Sequence, residues 1–159
     1  MKGINESKFK ENIELSLVGY GSKKNEILNY AIQNDINCKI YKKINNLDYF
    51  YTSNDIFVFT SIYEGLPTVM IEAASFCMPI ISSKFKSGSK EILGNGKFGY
   101  LFKVGDYKRL SQLLNNFVKS PQLFYLKEKK CRKNLRKFLI SPNIKKFNLL
   151  LGSLFNKTN

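Results

Sequence analysis

The chain has 159 residues, 43% of them hydrophobic, with 26 Lys/Arg against 12 Asp/Glu and a net charge of +14. That length supports one domain with a real core. The absence of histidine excludes histidine general bases, a serine–histidine–aspartate triad and His/Cys zinc sites. Cys38, Cys77 and Cys131 stand far apart and odd in number, which points to reduced thiols in a cytoplasmic setting and to no metal. Glu72 and Pro79 interrupt the longest apolar stretch, Leu149 to Phe155 is too short to span a bilayer, and the polar N-terminus predicts no secretory leader.

In chain order, Met1 to Asn12 reads as a polar leader, followed by a strand over Ile13–Val18 that ends at Gly19-Tyr20-Gly21. Ser22 is the expected N-cap of a helix to about Gln33, with Ile27, Leu28, Ala31 and Ile32 on one face. A strand at Cys38–Tyr41, an aromatic helix near Leu47–Tyr51, and a strand at Ile56–Thr60 come next. The corner Glu64-Gly65-Leu66-Pro67 leads into a helix over Pro67–Phe76, with a further strand at Pro79–Ser82. Alternating strands and helices predict an α/β fold: one Rossmann-like domain over residues 13–119, with a parallel sheet and helices on both faces. Residues 120–159 form an appended unit. Ser120-Pro121 and Ser141-Pro142 predict two helix starts. Phe124, Cys131, Leu135 and Phe138, then Ile144, Phe147, Leu151, Leu154 and Phe155, predict apolar stripes packed on the domain.

The corner is the most informative segment. Strand, turn and helix opening in that order place the N–H groups of Leu66, Thr68 and Val69 where a phosphate could sit. Gly65 allows close backbone approach, and Pro67 suits the first helical turn. Glu64 lies where the strand ends, the usual ligand position in open α/β sheets. Glu72 lies about 7 Å further along the helix, at 1.5 Å per residue. Its neighbours Val69, Met70, Ile71, Ala73 and Ala74 predict a buried carboxylate in need of hydroxyl partners. Carboxylates accept hydrogen bonds from sugar hydroxyls, so the outline is that of a nucleotide-sugar site. Gly19 and Gly21 bring a second stretch of backbone within reach of a nucleotide.

These motifs resemble those of the group 1 (family 4) glycosyltransferases. The resemblance rests on glutamates eight positions apart, with Gly65 after the first and Ala73-Ala74 after the second. It extends to Leu17-Val18-Gly19-Tyr20-Gly21, Asn54-Asp55-Ile56-Phe57-Val58, Pro79-Ile80-Ile81-Ser82, Ser87-Gly88-Ser89-Lys90-Glu91-Ile92-Leu93, Gly99-Tyr100-Leu101-Phe102 and Gly105-Asp106. It implies the C-terminal, donor-binding half of a GT-B fold. It also implies retaining transfer of a hexosyl or N-acetylhexosaminyl group from a UDP-linked sugar without a cofactor or metal, in cell-surface glycan synthesis. By the same resemblance Glu64 is the catalytic carboxylate at the donor sugar, and Glu72 holds the ribose. Gly19, Gly21, Gly65, Leu66, Pro67, Thr68 and Val69 line the nucleotide-sugar site. Lys42 stands where most of the family has a glycine near the base.

The family's opening strand and helix, with an Arg and a Lys for the diphosphate, have no counterpart before Ile13, and the acceptor domain is not represented. The expectation is therefore a donor-binding domain served by a partner chain, or a non-catalytic remnant. From Lys119 onward there are eleven Lys/Arg and one acid, a net of +10. That tail suggests peripheral contact with an anionic membrane at the cytoplasmic face. A basic nucleic-acid-binding protein is the rival class, but no aromatic-basic recognition motif supports it.

Overall fold

The computed structural model describes residues 1–42 and 44–155. Five strands carry the fold: β1 (Leu15–Val18), β2 (Cys38–Tyr41), β3 (Phe57–Phe59), β4 (Ile80–Ser83) and β5 (Tyr100–Phe102). Eight helices accompany them: α1 (Lys2–Asn5), α2 (Lys24–Gln33), α3 (Asp48–Ser53), α4 (Thr68–Ser75), α5 (Ser89–Ile92), α6 (Tyr107–Lys119), α7 (Pro121–Asn134) and α8 (Ile140–Phe155). All ladders are parallel, as a helix between successive strands requires. The α/β Rossmann-like architecture is as expected from the sequence. The sheet, however, is in two pieces, β1–β2 and β3–β4–β5.

Two apolar clusters cover the two faces. One gathers Leu15, Cys38, Val58, Ile81 and Phe102 from the strands under Ile4 of α1, Ala31 of α2, and Leu110, Leu113 and Leu114 of α6. The other gathers Phe57, Phe59, Ile80 and Leu101 under Tyr51 of α3, Met70, Ala73 and Ala74 of α4, and Ile92 of α5. The alternation Ile56/Val58 against Phe57/Phe59 is the period-2 pattern of a strand covered on both sides. Helix α7 joins the layers, with Phe124 in the first cluster and Cys131 in the second.

Residues 1–12, read as a polar leader, pack on the domain. Gly3 and Ile4 are buried, and Ser7 Oγ donates to Asn115 Oδ1 of α6 at 2.7 Å, fastening the segment to the domain. Helix α2 begins at Lys24 with Lys23 at its N-cap and no side-chain cap, so Ser22 does not serve as predicted. Pro67 stands just before α4, at its N-cap, one position earlier than expected. Pro121 does open α7, whereas Ser141 and Pro142 fall inside the first turn of α8.

The largest departure is at the C-terminus. Helix α7 packs as expected, but α8 does not. Residues 140–150 are exposed on every side, with Ile140 at 76% and Leu149 at 75%, and Ile144 and Phe147 exposed beside them. Of the predicted stripe, Ile144 and Phe147 therefore meet no core among the described residues, while Leu151 is half-buried. The side chains of Leu154 and Phe155, which complete it in the sequence, lie outside the described residues.

Candidate nucleotide-sugar site

Strand β3 ends at Phe59, and the chain turns through Thr60 to Pro67 before α4 begins. The turn is held from one side by a serine that ends β4 and another that follows it. Ser83 Oγ donates to the Ser61 carbonyl at 2.6 Å, and Ser87 Oγ lies 2.8 Å from the Glu64 carbonyl and 3.2 Å from that of Gly65. Gly88, at φ +81°, completes the brace. A Cβ there would come within 2.6 Å of Pro67 Cδ and 2.8 Å of the Gly65 carbonyl. Only glycine lets the two loops close on each other.

Glu64 is half-buried, and its Oε1 lies 3.0 Å from Ser61 Oγ. That contact orients one oxygen and leaves Oε2 without a partner among the described residues. Glu72 corrects the expectation of burial, because its side chain is exposed although its helix is largely apolar. The reason is position. Met70, Ala73 and Ala74 occupy the inward face of α4, and residue 72 falls outside that arc. Its Oε2 accepts a hydrogen bond from the hydroxyl of buried Tyr51 at 2.9 Å, leaving Oε1 without a partner among the described residues. Burial, reinforced by the Glu72 carboxylate, pushes the Tyr51 phenol well above its ordinary value, so it remains a donor throughout the neutral range.

The backbone at the start of α4 is equally open. Pro67 has no side-chain acceptor to cap the helix. The Met70 N–H is used by the Pro67 carbonyl, but the N–H groups of Leu66, Thr68 and Val69 bond to none of the described residues. Unpaired donors at the positive end of a helix dipole suit an anion. Gly65 is exposed, with no atom within 4 Å of where its Cβ would lie. At the end of β1, Gly19 continues the ladder by donating to the Tyr41 carbonyl at 2.9 Å and then turns at φ +152°, while Gly21 has open space around it. Gly19 and Gly21 thus lie at a strand's C-terminal end, as the corner does, but the structure gives no hydrogen bond between the two loops. Beside them Lys23 Nζ pairs with Glu26 Oε2 at 2.6 Å.

Sequence reasoning missed Ser61, Ser83, Ser87, Gly88 and Tyr51 as residues that shape the site. The Ser87-Gly88 pair was the available signal, since it lies in one of the ordered motifs. The Tyr51–Glu72 bond spans 21 positions and had none. Concavities of about 400 Å³ beside Met1, Ile27 and Tyr30 and about 620 Å³ beside Cys77, Tyr125 and Arg136 include no corner residue. Gly65, Leu66 and Thr68 are themselves exposed, so the corner's backbone lies open at the surface.

The family described as glycosyl transferases group 1 matches residues 2–138, which takes in the segment read as a leader. An Erwinia amylovora protein, amylovoran biosynthesis glycosyltransferase AmsD, is 30% identical over 118 residues, covering 72% of this chain and 32% of its own length. A Campylobacter jejuni 4-alpha-N-acetylgalactosaminyltransferase, acting on N-acetylgalactosamine-N,N'-diacetylbacillosaminyl-diphospho-undecaprenol by its name, is 26% identical over 121 residues, covering 74% and 33%. Among solved structures, S. aureus TarM in complex with fondaparinux, alpha-GlcNAc-glycerol and UDP aligns at TM-score 0.84 and 21% identity, over 94% of this chain and 31% of that one. Anabaena HepE in complex with UDP-glucose aligns at 0.83 and 17%, over 95% and 43%. The chain thus spans about a third of the length of the curated relatives it matches. No described helix is long and apolar enough to cross a membrane. With the strand–corner–helix unit, its two glutamates and its ordered motifs inside the matched span, this chain belongs to the glycosyl transferases group 1.

Proposed function

We propose that the chain is the donor-binding half of a retaining glycosyltransferase that uses a UDP-linked hexose or N-acetylhexosamine in cell-surface glycan synthesis. The observation that carries this is the row of unpaired N–H groups at Leu66, Thr68 and Val69, set between two carboxylates that each keep one oxygen free. In this reading the N–H row takes the diphosphate. Glu72, pinned by Tyr51, takes the ribose hydroxyls, and Glu64 takes the hydroxyls of the donor sugar beside the reacting carbon. The N–H row stabilises negative charge as the diphosphate leaves, which is electrostatic work that asks for no proton transfer from histidine. UDP in the TarM and HepE structures supports uridine as the base.

Transfer also needs an acceptor held in line, and the relatives are about three times as long. We therefore assign that part to polypeptide outside these 159 residues, of the same protein or of a partner chain, and expect these 159 residues to bind donor without turning it over. The basic tail and exposed α8 favour attachment to an anionic membrane surface as a second role. The test is calorimetric titration with UDP, GDP and ADP, followed by a transfer assay on the purified chain. Preference for UDP without turnover supports the proposal. Preference for another nucleotide overturns the donor assignment, and robust transfer overturns the need for a partner.

A further inference from the structure

A second concave surface lies at the amino ends of the strands, away from the corner. Helix α4 starts at the corner and runs back, so Cys77, just past its end, is separated from Thr68 by about 12 Å of helix at 1.5 Å per residue. Tyr125 of α7 marks the same end, because its hydroxyl lies 3.4 Å from the carbonyl of Asp55, two residues before β3. Both line the concavity of about 620 Å³, together with Glu128, Lys129, Lys133 and Arg136.

The charge of this concavity is one-sided. Tyr125, Lys129 and Lys133 recur at one-turn spacing along α7, and Arg136 continues the row in the 3-10 turn Leu135–Phe138. Glu128, the one acid in the lining, is only 4% exposed, so the accessible charge is that of the three cations. Two other cations of this stretch are occupied. Lys127 Nζ donates to the Gly96 and Gly99 carbonyls, and Lys137 Nζ to that of Glu91. Lys129, Lys133 and Arg136 have no hydrogen bond or ion pair among the described residues. Like charges gathered at one concavity repel, and an anion seated among them relieves that repulsion.

The donor set narrows the anion. A guanidinium fork matches phosphate oxygens two at a time, and the two ammonium groups add compact charge from the side. Burial, reinforced by Asp55 and Glu128, holds the Tyr125 phenol above its ordinary value, so it stays a donor at neutral pH. The volume falls within the roughly 300–1,000 Å³ of small-molecule sites, which exceeds what a bare phosphate fills. Cys77 and the Tyr125 ring wall the remaining space.

We propose that this concavity is a second ligand site, which takes the phosphate group of a phosphorylated small molecule or lipid headgroup on Lys129, Lys133 and Arg136. It lies at the other end of α4 from the nucleotide-sugar corner, so both are occupied at once. The inference goes beyond the donor reading and does not depend on it.

The test follows backbone amide resonances of the full chain, with and without UDP, while glycerol phosphate is added at fixed ionic strength. Saturable shifts should centre on Cys77, Tyr125, Lys129 and Lys133, and Leu66, Thr68 and Val69 should not move. Lys133→Gln and Arg136→Gln change exposed side chains and should spare the fold. Each should weaken binding about tenfold, as loss of a hydrogen bond to a charged group does. Lys130→Gln in α7 and Lys145→Gln in α8 lower the net charge equally from outside the lining, and should change affinity by less than about twofold once salt screens them. Acetate should give no saturable shift. In a second arm the chain is sedimented with phosphatidylcholine vesicles containing phosphatidylglycerol. Glycerol phosphate binding assigns the site to a free ligand. Vesicle binding without it, lost in Lys133→Gln and Arg136→Gln but kept in both controls, assigns the site to a headgroup. The proposal fails if all four variants weaken binding alike, because bulk charge then accounts for it. It also fails if acetate matches glycerol phosphate, if the shifts centre on the corner, or if neither probe binds.

Discussion

Replacing Gly88 by alanine tests how the corner is held. At φ +81° an L-residue costs about 1–2 kcal/mol. The added Cβ would also stand 2.6 Å from Pro67 Cδ and 2.8 Å from the Gly65 carbonyl. Neither is the end of a flexible side chain, so ring and backbone must move, at about 1–3 kcal/mol for overpacking. Gly88→Ala should therefore destabilise the chain by about 2–5 kcal/mol, a large share of the roughly 5–15 kcal/mol typical of a domain. Gly65→Ala is the matched control. Nothing lies within 4 Å of its Cβ position, so stability should change by no more than about 0.5 kcal/mol. If a phosphate lies against that backbone, however, nucleotide affinity should fall by about tenfold, or 1.4 kcal/mol. Urea unfolding and calorimetric titration separate the two effects. Gly88→Ala with wild-type stability would show that the loops are not in contact, and equal destabilisation by Gly65→Ala would refute the open-surface description.

Glu72→Gln should weaken UDP binding by about 1–3 kcal/mol with the fold intact, and Tyr51→Phe by less, since Tyr51 acts through the carboxylate. Titration of both checks this, and a greater loss for Tyr51→Phe would mean that Tyr51 itself meets the nucleotide. Burial raises the Cys131 thiol from 9.0 to about 11. A raised folded value means stability that is complete below about pH 9 and lost as pH rises toward 11. The loss should be about 2–3 kcal/mol in urea titrations, and it should be absent from Cys131→Ala. The tail should bind anionic vesicles in sedimentation assays more strongly than neutral ones. Because α8 exposes Ile144, Phe147 and Leu150, some binding should survive several hundred millimolar salt, beyond what screening of about 1 kcal/mol per Lys/Arg permits. No binding to either vesicle would leave the tail to a protein partner.

What the sequence disclosed was mainly local. The Ile56–Thr60 run, the Gly65–Pro67 corner and the apolar helix after it follow from periodicity and turn chemistry, and they are where the structure places them within a residue or two. Non-local facts stayed hidden. Nothing in the sequence links Tyr51 to Glu72 or Ser83 to Ser61. Residues 1–12 look polar, yet Gly3, Ile4 and Ser7 are buried because α1 packs closely on α6, where Leu110 and Asn115 meet Ile4 and Ser7. Helix α6 could have been read from Asp106, whose carboxylate caps the Arg109 N–H at 2.8 Å. The packing assigned to Ile144 and Phe147 failed for a different reason: a stripe of apolar residues specifies a face, not the surface that covers it.

In the proposed function the backbone between Gly65 and Val69 grips the diphosphate of a uridine nucleotide. Following backbone amide resonances while UDP is added tests it most directly. Saturable shifts should be largest at Gly65, Leu66, Thr68 and Val69, smaller at Gly19 and Gly21, and attenuated in Glu72→Gln. Shifts confined to the Lys-rich tail, or none at millimolar UDP, would contradict it.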